Sequence, residues 1–271
     1  YMCVHDIYAR PNMDAHLTGK YTLAGDIHAE ETATWNLDAT NKIDHQGFSP
    51  VGTAKTKFKG AFDGFGYTIQ GLVINRPQQD FVGLVGYSMG AISNLGLVHG
   101  SVTGGGNVGG VAGYAAGALT NVYNTGDVTG TGNSVGGVAG DAGTMTNVYN
   151  TGAVRGVASV GGVVGVDYDD YATMTNVYNT GAVTGTGNYV GGVAGHAGVM
   201  GNVYNTGAVR GVASVGGVVG DDYATMTNVY NTGDVTGTGD SVGGVAGKAS
   251  TMTNVYNTGD VTGTGDSVGG V

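Results

Sequence analysis

The chain has 271 residues, of which 56 are glycine and only 3 are proline, and 41% of its residues are hydrophobic. That hydrophobic fraction suffices for a buried core, whereas glycine at this density excludes a largely helical protein, because each glycine costs a helix about 1 kcal/mol relative to alanine. The net charge of −10 disfavours contact with nucleic-acid phosphates, so no nucleic-acid partner is expected. No run of about 18 apolar residues occurs, so no transmembrane helix is expected either. The single cysteine, Cys3, cannot form a disulfide within the chain.

Residues 1–80 are irregular and hold the single tryptophan and four of the five phenylalanines. A solenoid of repeated coils needs a cap over its first coil, because each coil leaves an apolar face that a neighbour must cover. We therefore predict an N-terminal β-rich capping and first-coil region over residues 1–80. Its tryptophan and phenylalanine residues are Trp35, Phe48, Phe58, Phe62 and Phe65.

Residues 81–271 form a tandem repeat that ends within a repeat. The hexapeptide Asn-Val-Tyr-Asn-Thr-Gly begins at residues 121, 147, 176, 202, 228 and 254, a spacing of 26 residues with one interval of 29. A second element, Val-Gly-Gly-Val, begins at residues 108, 135, 160, 190, 215 and 242. A period of about 26 residues is too short for a propeller blade and fits one coil of a parallel β-helix with three strands and three corners.

Coils stacked at about 4.8 Å align identical residues into ladders along the axis. Stacked asparagines can satisfy one another's amides, and asparagine also tolerates the positive φ that a corner needs. The tyrosines could face outward as a sugar-stacking stripe or pack in the core, and we favour a partly buried structural ladder. The predicted ladder residues are Asn147, Tyr149, Asn176, Tyr178, Asn202, Tyr204, Asn228, Tyr230, Asn254 and Tyr256.

Two pairs of aspartates occupy equivalent positions in adjacent coils, Asp234 with Asp260 and Asp240 with Asp266. Like charges at one coil spacing raise each other's pKa, an arrangement found in catalytic pairs and in calcium sites. Asparagine or alanine stands at the matching positions of other coils, which favours a solvated corner. Calcium is the only cofactor that the sequence suggests, and no catalytic residue is expected.

Two coils carry acidic, tyrosine-bearing insertions. Insertions in a solenoid map to loops on one side of the stack, so we expect two loops that protrude from the same corner, about 10 Å apart. These loops are the best candidates for contacts with partners. Their residues are Asp167, Tyr168, Asp169, Asp170, Tyr171, Asp221, Asp222 and Tyr223.

The N-terminal third carries the most specific sequence of the chain. It includes Gly47-Phe-Ser-Pro-Val-Gly52 and Phe58-Lys-Gly-Ala-Phe-Asp-Gly-Phe-Gly-Tyr67, and repeats of the type Val-Gly-Leu-Val-Gly follow. This order resembles filamentous-haemagglutinin-like bacterial exoproteins, adhesins that carry GLUG repeats, over essentially the whole chain. The resemblance implies a right-handed β-helical shaft, secretion to the bacterial surface or the extracellular space, and a role in adhesion, aggregation or biofilm matrix. It carries no catalytic residues.

We therefore expect an all-β protein, a right-handed parallel β-helix, that acts as a non-enzymatic secreted shaft or filament subunit. Its expected partners are copies of itself stacked end to end, or glycans and proteins of a cell surface. Three alternatives stay open: a carbohydrate-binding surface module, a polysaccharide-cleaving β-helix enzyme and an ice-binding protein.

Overall fold

The computed structural model describes residues 1–40, 42, 44–167, 172–223 and 225–271. The chain winds into a parallel β-solenoid in which the described strands of neighbouring coils pair in parallel, in the register that the repeats predict. Tyr149 lies opposite Tyr178, for example, and Asn150 lies opposite Asn179. The prediction of an all-β, parallel solenoid with about 26 residues in each coil is confirmed.

Four sheets, here named A to D in the order in which a coil visits them, run along the solenoid. Sheet A has twelve strands and extends from the N-terminus to the last described coil. Its strands are Met2–Val4, Lys20–Leu23, Ile27–His28, Ala61–Asp63, Thr68–Gln70, Ile92–Val98, Leu119–Asn124, Met145–Asn150, Thr173–Asn179, Val199–Asn205, Thr225–Asn231 and Thr251–Asn257.

The other three sheets are built from shorter strands. Sheet B consists of Val73–Asn75, Ser101–Gly104, Asp127–Gly130, Val154–Gly156, Val183–Gly185, Val209–Gly211, Val235–Gly237 and Val261–Gly263. Sheet C consists of Val135–Gly136, Val160–Gly161, Val190–Gly191, Val215–Gly216, Val242–Gly243 and Val268–Gly269. Sheet D consists of Val85–Ser88, Ala112–Ala115, Ala139–Ala142, Val164–Asp167, Ala194–Ala197, Val219–Asp222 and Ala246–Lys248.

A regular coil thus has four strands, and the prediction of three strands is wrong. The Val-Gly-Gly-Val element does not form one strand, because only its first two residues, Val160–Gly161, belong to sheet C. The chain then turns, and the sheet D strand begins just after the element, at Val164. The turn is tight: a Cβ atom on Gly161 would lie 2.0 Å from the carbonyl oxygen of Val164. Only glycine allows the backbone to fold back so closely.

The interior is one hydrophobic core in which each coil contributes the same side chains. In sheet A, Met174 and Val177 are fully buried, and they pair with Met200 and Val203 of the next coil. Burial of one such side chain contributes about 1.5–3 kcal/mol. Because no coil can bury its own apolar side alone, stability comes from the stacking of neighbours.

A second kind of ladder runs inside this core. Asn179 ends its sheet A strand and is fully buried. Its amide nitrogen donates to the Gly181 carbonyl oxygen at 2.7 Å and to Oδ1 of Asn205 at 2.9 Å. Its own Oδ1 accepts from the Gly181 backbone N–H at 3.2 Å and from the Asn150 amide at 3.0 Å. Both donors and both acceptor positions of this buried amide are therefore satisfied.

The same contacts repeat along the solenoid, and we call this column the inner asparagine ladder. In each step the asparagine of one coil donates to Oδ1 of the asparagine in the following coil, at 2.8–3.0 Å. The inner asparagine ladder consists of Asn124, Asn150, Asn179, Asn205, Asn231 and Asn257.

The inner ladder also explains why the two repeat elements occur together. Gly162, the second glycine of its Val-Gly-Gly-Val element, faces the buried amide of Asn179. A Cβ atom at Gly162 would lie 2.3 Å from Cγ of Asn179 and 2.1 Å from the carbonyl oxygen of Gly192. The asparagine of one element therefore requires the glycine of the other.

The N-terminal region is less regular and contains the described helices. An α-helix spans Arg10–Ala15, and two 3₁₀ helices span Ile7–Ala9 and Glu30–Thr34. Phe48, Phe58 and Phe62 are buried, whereas Phe65 is 72% exposed because it lies in a tight turn with φ of 53°. Sheet A continues through this region, and the predicted boundary at residue 80 stays a prediction. No helix in the described part of the chain is both long and apolar enough to cross a membrane.

Candidate binding groove

One asparagine in each regular sheet A strand changes which side chains face outward. Asn176 has φ of 56°, in the left-handed region that asparagine adopts more readily than most residues. As a result Thr175 and Asn176 are both exposed, while Val177 is buried and Tyr178 lies on the outer face. Simple alternation along the strand could not predict this orientation, because the left-handed residue shifts the inward and outward positions by one.

These left-handed residues form a second, exposed amide column, which we call the outer asparagine ladder. The amide nitrogen of each asparagine donates to Oδ1 of its equivalent in the preceding coil, at distances of 2.7–3.2 Å. The donation runs towards the N-terminus, opposite to that of the inner ladder. The outer asparagine ladder consists of Asn94, Asn121, Asn147, Asn176, Asn202, Asn228 and Asn254.

The tyrosines form a continuous stack beside this ladder. Neighbouring rings lie 4.8–5.1 Å apart between centroids and deviate from parallel by only 1–4°. At the N-terminal end the ring of Tyr123 packs over Gly96, where a Cβ atom would lie 2.3 Å from the ring. The tyrosine ladder consists of Tyr123, Tyr149, Tyr178, Tyr204, Tyr230 and Tyr256.

The tyrosine ladder is half-buried by its own stacking, and only Tyr256 at one end is exposed, at 48%. Burial raises the pKa of Tyr149, Tyr178, Tyr204 and Tyr230 above the usual phenol value, and neighbouring phenols add to the effect for most of them. The phenols therefore stay neutral and protonated over the physiological range. The tyrosine ladder is thus partly buried and lies on the outer face of sheet A, outside the core.

The outer asparagine ladder and the tyrosine ladder together line an open groove of about 770 Å³. Every described residue of its lining is an asparagine or a tyrosine. The groove follows the solenoid axis from Asn121 to Asn254, five coil steps, a length of about 24 Å at the usual strand spacing. All ten residues of the predicted ladders contribute to this lining.

The paired aspartates contact the backbone of the following coil. Oδ1 of Asp234 accepts from the backbone N–H of Asp260 at 3.2 Å, and Oδ1 of Asp240 accepts from that of Asp266 at 3.0 Å. These contacts give the carboxylates a structural role at an exposed corner. The described residues include no cluster of three or more His, Cys, Asp or Glu side chains that could hold a metal ion, and calcium binding at these pairs stays a prediction.

The acidic insertions differ from the expectation. Asp167 ends one sheet D strand, and Asp221 and Asp222 end another; all three are buried. Asp167 pairs with Ala142, and Asp222 takes the equivalent position two coils later. The prediction that these aspartates protrude is wrong, because the sheet D strands continue through them. Four other predicted loop residues lie outside the described residues: Tyr168, Asp169, Asp170 and Tyr171.

Tyr223 is 60% exposed and belongs to a mixed cluster on the outer face of sheet D. Its hydroxyl lies 3.1 Å from Nδ1 of His196, whose ring is 4.4 Å from that of Tyr189. Burial lowers the pKa of His196, partly opposed by the nearby Asp221 and assisted by Lys248. The sequence does not indicate this cluster, because its members, Lys248 included, come from three different coils and share no motif.

No protein-family model matches the sequence. Over 128 residues, 45% of the chain, the sequence is 39% identical to Halomucin from Haloquadratum walsbyi (strain DSM 16790 / HBSQ001). The chain spans 1% of the length of that relative. The similarity is thus to a small segment of a much longer protein.

The structure is similar to the crystal structure of a candidate immunoglobulin A1 protease from Bacteroides ovatus. The TM-score is 0.58, and the alignment covers 98% of this chain and 84% of that chain. At 20% sequence identity, this similarity establishes a shared fold and nothing further.

Proposed function

We propose that this chain is a non-enzymatic structural segment, a rigid shaft displayed at a cell surface or in an extracellular matrix. The observation that carries the proposal is the continuity of the cross-coil ladders. Two asparagine ladders, one tyrosine ladder and the valine core each connect neighbouring coils through equivalent contacts. A stack held in this way resists bending and can be lengthened by adding coils.

Repetition itself supports a structural role over a catalytic one. A catalytic site needs unlike groups, such as a nucleophile, a base and a charge-stabilising donor, brought to one place. The outer face of sheet A instead presents nearly the same threonine, asparagine and tyrosine in every regular coil. Asp234 and Asp260, the best catalytic candidates, use a carboxylate oxygen and a backbone amide to join adjacent coils.

The similarity to Halomucin supports an extracellular location, because that name likens the protein to mucins, polymers of cell surfaces and secretions. The resemblance to filamentous-haemagglutinin-like exoproteins supports the same location. Within this proposal, the chain contributes to adhesion, aggregation or a biofilm matrix by holding other surfaces at a fixed distance.

End-to-end association of copies is part of the same proposal. In the last described coil Met252 and Val268 are 43% and 42% exposed, whereas their counterparts Met226 and Val242 are buried one coil earlier. A further coil stacked on this face, whether from the same polypeptide or from a second copy, would cover these apolar side chains and pair the strand edges.

Immuno-electron microscopy of intact source cells tests the proposal, with antibodies raised against the folded chain. We expect label on the outer surface, on filaments or in the matrix between cells. Label confined to the cell interior would contradict the proposal. Antibodies absorbed beforehand with the purified chain provide the control for specificity.

A further inference from the structure

We infer that the groove between the outer asparagine ladder and the tyrosine ladder is a binding site for a neutral, extended polysaccharide laid along the solenoid axis. A shaft does not need such a site, so the inference is independent of the proposed structural function. It rests on the spacing, the hydrogen-bonding capacity and the charge of the groove.

The groove repeats the same chemical unit at every coil. Each coil presents one primary amide and one phenol, and the rings follow one another at 4.8–5.1 Å. A polymer makes equivalent contacts with every coil only if its own monomer advances by a similar distance. One sugar ring of a β-1,4-linked glycan advances the chain by about one coil spacing. An extended peptide advances by only about 3.3 Å per residue, so its residues would not stay in register with the coils.

The groove also has unused hydrogen-bonding capacity. Asn176 donates one of its two N–H groups to Asn147 and accepts from Asn202, which leaves one N–H and one acceptor position towards the groove. The hydroxyl of Tyr178 makes no hydrogen bond to the described residues and can both donate and accept. Sugar hydroxyls have the same dual character, so each coil can bind one ring through both partners.

Charge and shape narrow the choice of ligand. The described lining residues carry no charged side chain, and the chain as a whole has a net charge of −10, which opposes binding of an anionic polymer. Because the ring faces of the inner tyrosines are covered by their neighbours, only ring edges and hydroxyls face the ligand. Binding therefore proceeds mainly through hydrogen bonds.

The groove is organised before the ligand arrives. The hydrogen bonds of the ladder and the ring stacking already fix the asparagine and tyrosine side chains. Binding therefore costs little additional side-chain conformational entropy. Equivalent sites in a row act together, and affinity should increase with ligand length as long as each added sugar reaches a new coil. The increase should stop when the ligand spans the groove.

Isothermal titration calorimetry with purified chain and β-1,4-linked glucose oligomers of two to eight units tests the inference. We expect saturable binding that strengthens with each unit to about five or six, one per coil of the groove, and then levels off. Maltohexaose, which curls because its linkages are α-1,4, serves as the matched ligand and should bind at least about tenfold more weakly than cellohexaose. Equal binding of the two hexasaccharides would overturn the inference.

A triple variant, Tyr149→Phe, Tyr178→Phe and Tyr204→Phe, removes three hydroxyls and keeps the ring stack. Because each removed hydroxyl takes away hydrogen bonds to the sugar, we expect at least about tenfold weaker binding of cellohexaose. Tyr223→Phe makes the same chemical change outside the groove and should leave binding unchanged. Absence of saturable binding by the wild-type chain, or undiminished binding by the triple variant with its circular dichroism unchanged, would overturn the inference.

Discussion

The side-chain amide of Asn94 donates a hydrogen bond to a carboxylate oxygen of Asp63 at 2.9 Å, and this contact terminates the outer asparagine ladder. Each later asparagine of that ladder donates towards the N-terminus, so the amide dipoles are aligned and their positive end faces Asp63. A negative charge at the positive end of aligned dipoles is stabilising, as at the N-terminus of a helix. Asp63 of the irregular N-terminal region therefore stabilises the outer asparagine ladder electrostatically at its N-terminal end.

The inner asparagine ladder should contribute far more stability than the outer one. Asn179→Ala would leave buried donors and acceptors unsatisfied on Gly181, Asn150 and Asn205, and we expect a loss of about 3 kcal/mol or more in the free energy of unfolding. Asn176→Gly, three residues earlier in the same strand, removes an exposed amide and keeps the left-handed backbone. We expect this control to cost less than about 1 kcal/mol. Urea unfolding measures both, and equal losses would contradict the account.

Two glycines of the repeats should respond in opposite ways to alanine. Gly162→Ala places a Cβ atom 2.3 Å from the buried Asn179 side chain, so we expect a loss of about 2–3 kcal/mol. Gly201→Ala meets nothing nearer than the Met174 carbonyl oxygen at 4.0 Å and should be neutral or stabilising by up to about 1 kcal/mol. Thermal unfolding of both variants checks this contrast. Similar melting temperatures for the two would contradict it.

The tyrosine ladder should depend on its rings and only weakly on its hydroxyls. Tyr178→Ala removes two parallel ring contacts, at 4.8 Å to each neighbour, and we expect a loss of about 1–3 kcal/mol. Tyr178→Phe keeps both contacts and should change the free energy of unfolding by less than about 0.5 kcal/mol. Urea unfolding followed by circular dichroism measures the difference. A phenylalanine variant as unstable as the alanine variant would show that stacking is not the main contribution.

His196 should make stability depend on pH. Because burial lowers its pKa in the folded state, the unfolded chain binds a proton at a higher pH than the folded chain does. Stability is therefore complete above the ordinary histidine value of about 6.5 and falls as the pH decreases from there towards the lower folded value. His196→Val, which copies Val166 at the equivalent position of the preceding coil, should remove this contribution.

The difference in unfolding free energy between wild type and His196→Val, measured from pH 7.5 to pH 5, gives the histidine contribution. Asp221, Tyr223, Tyr189 and Lys248 surround the imidazole and are unchanged in both proteins. The prediction would be contradicted if the stability of the wild type relative to His196→Val stayed constant or increased as the pH decreased.

The sequence predicts the coil length, the parallel register and the existence of ladders, because identical residues at a fixed spacing must align when coils stack. It does not distinguish the two asparagines of the hexapeptide. Asn176 and Asn179 differ only in position, yet one is exposed with a positive φ and the other is buried with four hydrogen bonds. The burial of Asn179 depends on its contact with Gly162 and on the asparagines of the adjacent coils, which become its neighbours only after folding.

Other features of the candidate sites could not be predicted from the sequence, for related reasons. The groove arises because the left-handed Asn176 turns Tyr178 outward, a backbone effect that residue alternation cannot reveal. The burial of Asp221 and Asp222 depends on whether a strand ends before or after an insertion, and acidic composition alone suggests a loop. The tyrosine–histidine cluster of sheet D combines residues from three coils at positions where the repeats differ.

Small-angle X-ray scattering of a two-coil deletion tests whether the repeats add length to one rigid stack. Deletion of residues 199–250 removes 52 residues, two intervals of 26, and joins Gly198 to Thr251 so that the strand of the last coil takes the place of Val199–Asn205. Deletion of residues 199–237 removes one and a half coils and is the control, which should lose its β-structure. For the two-coil deletion the account predicts a folded rod shorter by about 10 Å. An unfolded protein, or a folded one of unchanged length, would contradict it.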